Sequence, residues 1–525
     1  MAVYSDHGLK IHATLGLEAR GTLEIIPPSM TAVPELKSQK IKTAPASRDW
    51  RPIVIAIVVF SALSIWAAVK SEGFLEADAC THYQYARFAF QQPHYFVNVW
   101  GRPICTAIYS VPAVLGGRLG VRFMSLLLAL GCSLIAYRIA INQRYRWPAL
   151  ALIFTLAQPL VFLHSFSELT ELPFAFLLGL AFLAYQTRRW FVVALLIGLT
   201  PLSRPEGFGF LILGAIALTV HRRWIWLPLL VLPLIGWDVA GWVLSGSEGQ
   251  WWKWLSSNWP YATDSLYARG NILHFVGLLP VIVSPLLVVP MLIGIVQNLR
   301  SGAKDCMNHA PGTIDGLIAI IPVMILIGHS LLYALGKMAS NGEARYMLVV
   351  APFWGLLSAR GWEWIWTTLH WRHPFRWAGV AALAPILANF YWGVVPLTLY
   401  TDWTQARDIV KWYESSPISK QYPRLSTGHQ ALYYFMGIPG NDSQRGLDFR
   451  RDTLLPKPTP GVLIVWDPVY AVFNSDARRK VPLEDLLNAG WIDVTDRVPD
   501  FGKDWRILVS PQDATRATTL PAEMR

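Results

Sequence analysis

Long apolar stretches alternate with short polar breaks from residue 52 to residue 400 of the chain. The first stretch, Pro52–Val69, has 18 residues and no charge, so it can cross the hydrocarbon layer as one helix. The same reading predicts spans at 52–69, 120–140, 147–166, 172–187, 190–202, 208–220, 224–244, 272–299, 316–336, 346–359 and 377–400. The shortest of them must be tilted or lie beside a cavity. The pattern predicts an α-helical multi-pass membrane protein with about 11 transmembrane helices.

The pattern changes after residue 401. Thr404–Ser415 and Pro482–Ala489 have helical spacing, whereas Gly461–Asp467 and Trp505–Ser510 are short apolar runs typical of buried strands. No glycine-rich phosphate loop follows Val465, so no nucleotide is assigned. We therefore predict a tail at 1–50, a transmembrane domain at 51–401 with a first outer loop at 70–119, and a small α/β domain at 402–525 that acts as a lid or docking surface.

Composition agrees with a membrane protein. The chain is 53% hydrophobic and only 15% charged, and it contains 25 Trp, a residue that collects at membrane interfaces. A net charge of +11 could indicate a nucleic acid partner. However, the segment from Asp402 to the end holds 16 Lys and Arg against 16 Asp and Glu, so the excess lies in the tail and the membrane loops. No nucleic acid partner is expected. Membrane lipids are expected partners.

The charges of the loops predict the topology. Loops on one side are rich in arginine, as at Arg144–Arg146, Arg188–Arg189 and Arg222–Arg223, and they are expected to be cytoplasmic. The N-terminus would then be cytoplasmic and the C-terminal domain extracytoplasmic, in the plasma (inner) membrane of a bacterium. Cys80 and Cys105 would share the outer side, where they could form a disulfide or remain two thiols.

Most of the loop carboxylates and several arginines fall on the predicted outer side. They are Glu76, Asp78, Arg87, Arg102, Glu168, Glu171, Arg204, Glu206, Asp264, Arg269, Glu343 and Arg345. Acids and cations at the mouth of short spans indicate a site that binds an anion and removes a proton. The plainer interpretation is that outer loops are simply polar.

Several of these segments resemble the GT-C membrane glycosyltransferases, of the protein O-mannosyltransferase and aminoarabinose transferase type. Asp78-Ala…Tyr85-Ala-Arg87 is similar to their first outer loop, where an acidic pair precedes a helix. Ser-Glu168-Leu-Thr-Glu171, Ser203-Arg204-Pro-Glu206-Gly and Asn341-Gly-Glu343-Ala-Arg345-Tyr resemble later turns of the same family, so the resemblance covers about residues 50–400. Ala77 stands where many members carry the first acid, and Glu76 is displaced by one position.

The resemblance implies an inverting hexosyl or pentosyl transferase that moves a sugar, of a mannose-like kind, from a polyprenyl-phosphate carrier to a lipid, glycan or protein acceptor outside the membrane. A lipid phosphate is already a good leaving group, so the chemistry needs one base and cations for the phosphate. Asp78 is the expected base, with Glu76 as the other candidate, and Arg204 and Arg345 are expected at the phosphate. Secondary contacts to acceptor or metal fall to Glu168, Glu171, Arg102 and Glu343. The metal would be a divalent cation such as Mg²⁺ or Mn²⁺.

Two other functions use the same carrier lipids. A flippase or transporter of lipid-linked sugars would need charges buried within the spans, and only Asp238 and His329 meet that requirement. An oligosaccharide ligase would share the donor chemistry. Dependence of activity on Asp78 distinguishes a transferase from a transporter.

Overall fold

The computed structural model describes residues 50–246, 248–261, 269–307, 313–338, 340–370, 372–391, 394–440, 442, 444–472 and 477–512. Residues 1–49 of the predicted tail, Asp264 and the side chain of Cys306 lie outside these residues. Most of the chain is helical. The first half contains α-helices at Arg51–Lys70, Ala77–Phe88, Pro103–Asn142, Ala149–Leu156, Pro159–His164, Glu171–Gln186, Trp190–Ser203, Gly207–Val220, Pro228–Ser245 and Trp254–Ser257.

The second half continues with α-helices at His274–Gly277, Leu279–Val283, Val288–Met307, Thr313–Leu335, Ala351–Leu369, Pro374–Tyr391, Thr401–Ser415, Ile418–Gln421, Gln430–Met436, Arg451–Leu454 and Leu483–Asn488. Short 3₁₀ helices lie at Pro93–Phe96, Trp224–Trp226, Trp251–Lys253, Pro285–Leu287, Ala344–Val350, Ala477–Arg479 and Thr495–Arg497.

Five helical segments are long and apolar enough to cross a membrane, and they lie at Arg51–Lys70, Pro103–Asn142, Trp224–Ser245, Pro285–Ala303 and Ile314–Leu335. Three shorter apolar helices, at Glu171–Gln186, Trp190–Ser203 and Gly207–Val220, fall on predicted short spans. Large apolar side chains on the first helix, including Ile55 and Val58, are exposed on the protein surface, as expected for contact with lipid. The helical multi-pass architecture is confirmed, whereas the number eleven stays a prediction.

The helix that contains the second predicted span is much longer than the apolar run that predicted it. It begins at Pro103 rather than near residue 120 and runs for 40 residues. Gly117, with φ 57° and ψ −144°, interrupts the helical backbone, a conformation that glycine adopts with little cost. Much of the segment predicted as outer loop is therefore helical, and the break at Gly117 puts a kink into that long helix.

The third and eighth predicted spans are each divided by a residue whose backbone is extended or left-handed. The third is divided into Ala149–Leu156 and Pro159–His164, because Pro159 starts a new helix and Gln158 before it is extended. The eighth is divided at Ser284, which has φ 108° and precedes Pro285. Hydropathy records only that these stretches are apolar, so the expectation of continuous helices was wrong at both places.

The C-terminal residues form a four-stranded sheet of β1 (Arg424–Thr427), β2 (Val462–Trp466), β3 (Ile492–Asp493) and β4 (Arg506–Val509) in the order β1-β2-β4-β3. β1 pairs parallel to β2, with Leu425 opposite Leu463, and the other two pairings are antiparallel. The predicted strands β2 and β4 and the helix at Thr401–Ser415 are present. β1 and β3 are shorter and were not predicted, because four and two residues carry little alternation.

The helix Ala77–Phe88, called here the outer helix, packs against the C-terminal region. Ala79 and Cys80 share a buried apolar cluster with residues of that region such as Trp403 and Leu432. The helix Gln430–Met436, called here the docking helix, adds a polar contact, since Gln430 Nε2 donates to the Ala77 carbonyl at 2.9 Å. The C-terminal region therefore holds in place the helix that carries Asp78.

Of the two alternatives left open for Cys80 and Cys105, the structure has two separate thiols and no disulfide. Both thiols are free and buried. Cys80 packs in the cluster beneath the outer helix, whereas Cys105 Sγ lies 3.5 Å from Ser203 Oγ. They belong to different packing environments, so the alternative of two separate thiols is the correct one.

Candidate functional site

Asp78 lies in the first turn of the outer helix and forms an ion pair with Arg345. Arg345 Nη2 lies 2.7 Å from Asp78 Oδ2, although 267 residues separate the two in the chain. Arg345 stands in the 3₁₀ helix Ala344–Val350, and its guanidinium also bonds the Glu343 carboxylate. Its Nε lies 3.9 Å from Glu171 Oε1.

Arg204 occupies the turn after the helix Trp190–Ser203. Its backbone is extended, with φ −160° and ψ 153°, as expected for a residue before proline. Its Nη1 donates to Glu171 Oε1 at 2.6 Å and to Thr170 Oγ1 at 2.9 Å. Its Nε and Nη2 donate to Glu206 Oε1 at 3.1 and 3.0 Å. The planar guanidinium thus serves two carboxylates at once.

Glu171 joins these two arginines into one network. We call Asp78, Glu171, Arg204, Glu206, Glu343 and Arg345 the charged cluster. It contains four carboxylates and two guanidinium groups, so its formal charge is −2 when all are ionised. The cluster brings together the predicted base, both predicted phosphate ligands and two of the predicted secondary residues.

The carboxylates differ greatly in exposure. The Asp78 side chain is 41% exposed, against 1% for Glu171 and 9% for Glu206. Leaving a buried guanidinium without a partner is costly, so the two glutamates are fixed parts of the cluster. Asp78 is the carboxylate that can leave Arg345 most easily.

Glu76 lies beside the cluster, but its side chain makes no hydrogen bond with any residue that the structure describes. Burial raises its pKa to about 7, the nearby Arg345 opposes the rise, and Glu343, Asp78 and Glu171 add to it. A carboxyl group with a pKa near neutrality can both accept and release a proton at physiological pH. Glu76 therefore has the properties of a proton-transfer group.

His329 and Tyr346 complete one side of the cluster. His329 Nε2 lies 3.4 Å from Glu206 Oε1, and the His329 ring stacks on Tyr346 with centroids 5.0 Å apart. The Arg204 guanidinium lies 5.8 Å from the centre of the same Tyr346 ring. The sequence alone indicates His329 only as a charge within a span, of the kind a transporter would need, and Tyr346 only as part of a motif. Their contacts with Arg204 and Glu206 depend on the packing of distant helices.

Glu168 is not part of the cluster. It is fully buried and receives a hydrogen bond of 2.9 Å from Arg122 Nε. The other Arg122 nitrogens donate to the carbonyls of Ala68, Ser71 and Gly73, at 2.6–2.9 Å. This arrangement ties the end of the first membrane helix to the third-to-fourth span turn, so the structure gives Glu168 a structural partner instead of a place at the site.

Arg102 borders the site without joining the cluster. Its backbone is left-handed, with φ 62°, and its Nη1 donates to the Val99 carbonyl at 2.8 Å. The guanidinium lies 5.2 Å from the centre of the Tyr261 ring. None of its described contacts is a carboxylate, which distinguishes it from Arg204 and Arg345.

A cavity of about 320 Å³ opens beside Arg204. Its charged lining residues are Arg102, Arg204 and Glu206, while much of the remaining lining is apolar and includes Met324 and Leu332. Such a cavity suits a ligand that is anionic at one end and apolar over the rest of its length. We call it the apolar cavity.

The described residues contain no group of three or more His, Cys, Asp or Glu side chains able to hold a metal ion. In the charged cluster the carboxylates face arginines rather than one another. The cluster therefore does not fit a divalent cation in this geometry, and the expected Mg²⁺ or Mn²⁺ stays a prediction.

The fold and site together describe a multi-pass membrane protein whose buried ion pairs meet at one end of its helices. A structure with this fold is that of ArnT from Cupriavidus metallidurans bound to undecaprenyl phosphate. The two share 14% sequence identity, with a TM-score of 0.52, over 88% of this chain and 98% of that one. No family model matches the chain, and no curated protein matches it. The comparison confirms the expected GT-C-like fold.

Proposed function

We propose that this chain is an integral-membrane glycosyltransferase that moves a sugar from a polyprenyl-phosphate carrier to an acceptor on the outer side of a bacterial inner membrane. The observation that supports it most is that Arg204 and Glu206 of the charged cluster line the apolar cavity. The shared fold with a protein whose structure contains undecaprenyl phosphate adds to it. A mannose-like sugar remains the proposed cargo, and the acceptor would be a lipid, glycan or protein.

In this proposal the donor phosphate first contacts Arg204 and Arg102, and its prenyl chain follows the apolar lining of the cavity. The phosphate then also contacts Arg345 once Asp78 leaves that guanidinium. Arg102 is available to an anion because its described contacts are a carbonyl and a ring rather than a carboxylate. A guanidinium fork matches phosphate oxygens and stabilises the charge that develops as the sugar leaves. The carrier phosphate needs no general acid.

From the charge of the cluster we infer the order of donor binding and proton transfer. A phosphate that approaches a site of charge −2 is repelled unless a carboxylate gives way. Asp78 is the most exposed of the four, so we assign it to exchange with the phosphate on Arg345. Its released carboxylate then accepts the proton of the acceptor hydroxyl as the sugar is transferred. Donor binding would thereby prepare the base.

Glu76 is the second candidate for the base. Its pKa of about 7, raised by burial, lies close to the operating pH, where a general base is most effective. The Glu76 carboxylate also has no ion-pair or hydrogen-bond partner to give up among the described residues, so it needs no exchange. The two candidates lie two residues apart, at the start of the outer helix. Their positions therefore do not distinguish which one is the base, whereas single substitutions do.

The first experiment identifies the donor. Purified protein is supplied with labelled sugar on polyprenyl phosphate or on a nucleotide, and loss of the label from each is followed. We expect consumption of the lipid-linked sugar alone. Consumption of only the nucleotide sugar would remove the lipid donor and the reason to place the reaction outside the membrane, and transport of an intact donor across vesicles would favour the flippase.

The second experiment identifies the base. Asp78→Asn should lower the transfer rate by roughly 10²- to 10⁴-fold, the usual effect of losing a positioned base, while the amount of folded protein stays similar. Glu72→Gln is the matched control, because Glu72 is exposed and precedes the same helix. Near-normal activity of Asp78→Asn together with loss in Glu76→Gln would transfer the role to Glu76.

A further inference from the structure

A second cavity, of about 400 Å³, lies between the outer helix and the docking helix. It is lined by Tyr83, Gln84, Arg87, Phe88, Gln91, Val114, Tyr434 and Gly437. Its lining is mainly polar and aromatic, in contrast to the apolar cavity, so a lipid chain does not suit it. Its volume is sufficient for a small polar ligand.

Three polar atoms of this cavity, the Gln84 amide oxygen and the hydroxyls of Tyr83 and Tyr434, have no hydrogen-bond partner among the described residues. Gln84 is 6% exposed, and its Oε1 accepts no hydrogen bond from any residue that the structure describes, although its Nε2 donates to the Gln430 carbonyl at 3.1 Å. A buried amide oxygen without a donor is unfavourable. The half-buried Tyr83 and Tyr434 hydroxyls likewise bond no described residue. Together they offer donors and acceptors suited to hydroxyl groups.

Two aromatic rings and a cation complete the lining. Tyr83 and Tyr434 meet edge to face, with centroids 5.9 Å apart, which leaves apolar ring surface beside their hydroxyls. Arg87 uses Nη1 to hold the Ala113 and Val114 carbonyls at 2.6 and 3.1 Å. Its remaining nitrogens bond no described group, so they can bind an acidic substituent.

We propose that this cavity binds a saccharide of one or two units that carries an acidic substituent facing Arg87. Sugar rings combine an apolar face with many hydroxyls, which matches aromatic surface next to an amide and two phenols. The proposal rests on the proposed transferase function, because it takes the saccharide to be part of the acceptor.

The position of the cavity defines what the saccharide does. Arg87 lies nine residues beyond Asp78 in the outer helix, about two and a half turns, so the two side chains point to roughly opposite faces. The bound unit is therefore not the one that receives the sugar. It anchors a remote part of the acceptor, a use of binding energy away from the reacting group.

The test measures binding rather than activity. Purified full-length protein is applied to an array of neutral, phosphorylated and carboxylated mono- and disaccharides, with phosphatidylglycerol vesicles as a separate arm. We expect retention on acidic saccharides, weakened roughly 3- to 10-fold in Tyr434→Phe and Gln84→Leu, as loss of one hydrogen bond predicts. Gln444 is exposed and does not line the cavity. The variant Gln444→Leu should therefore bind saccharides as the unsubstituted protein does.

Three results would overturn the proposal. They are absence of saccharide binding, equal binding by the cavity variants and the control, and binding of vesicles alone with the same dependence on Tyr434 and Gln84. Donor consumption is measured on the same preparations. If consumption persists while saccharide binding fails, only this inference falls, whereas lack of donor consumption by the unsubstituted protein removes the proposed function.

Discussion

Arg204 shows how much depends on the shape of a single side chain. Its guanidinium bonds Glu171, Glu206 and Thr170 at the same time, and it forms one wall of the apolar cavity. A lysine at this position would keep the charge but could satisfy only part of the network. Arg204 is only 7% exposed, so water does not readily replace the lost hydrogen bonds.

We expect Arg204→Lys to raise the KM for the lipid-linked donor by roughly tenfold or more, since one lost charge-assisted hydrogen bond accounts for that much. The measurement is donor consumption over a range of donor concentrations. Arg445→Lys is the matched control, because the described contact of the Arg445 side chain is an exposed pair with Glu414. An unchanged KM in Arg204→Lys would mean that Arg204 has only a structural role.

Glu76 predicts a pH dependence of stability. Its pKa is about 7 in the folded protein, raised by burial from an ordinary value of 4.5, so the folded state binds its proton more tightly than the unfolded state. The resulting stabilisation is fully present below about pH 4.5 and is lost as the pH rises through about 7. The melting temperature should therefore fall between pH 5 and pH 8.

Glu76→Gln tests the source of that fall. Because the amide does not titrate, the variant should lose part of the pH dependence measured by thermal unfolding in detergent. Glu72→Gln should retain all of it, since Glu72 is exposed. An identical decline in Glu76→Gln and the unsubstituted protein would show that other groups cause it.

At the scale of elements, the outer helix owes its position to the C-terminal region. Gln430 in the docking helix donates to the Ala77 carbonyl at 2.9 Å and also bonds Thr81. These contacts hold the first turn of the outer helix, where Asp78 meets Arg345. The C-terminal region thus positions the outer helix, whereas its use as a lid or docking surface stays a prediction.

Gln430→Ala should lower the transfer rate several-fold, because Asp78 would no longer be held in one place, while its hydrogen bonds contribute only about 0.5–1.5 kcal/mol each to stability. Gln444→Ala is the control. The double variant Asp78→Asn/Gln430→Ala is then compared with Asp78→Asn alone. We expect the two transfer rates to be equal, because Gln430 affects the rate only by positioning a functional Asp78. An equal loss in both backgrounds would indicate a general effect on folding.

At the scale of the whole molecule, the sorting of loop charges predicts the topology. A reporter that is active only outside the cytoplasm should work when fused after residue 430 and should fail when fused after Arg223 or Arg300. Arginine-rich loops are retained on the cytoplasmic side, which is the physical reason. Reporter activity after Arg300 would invert the predicted map from the eighth span onward and place the proposed site on the wrong side.

Much of the architecture follows from local properties of the sequence. The helix Arg51–Lys70 lies on the first apolar run, and β2 and β4 lie on the two runs of strand type, because apolar length and alternation are local. The outer helix was expected from its resemblance to a known first outer loop. The breaks at Gly117 and Ser284 were not expected, since hydropathy does not report backbone conformation.

Which charges meet was decided only by the tertiary structure. The sequence placed Asp78, Arg204 and Arg345 on one side of the membrane, but it treated Glu168 and Glu171 alike. In the folded chain Glu171 joins two arginines of the cluster, whereas Glu168 pairs with Arg122. Charge type and membrane side are properties of a segment, while ion pairing depends on contacts between residues far apart in the chain, and buried carboxylates must find whichever cation the packing brings near.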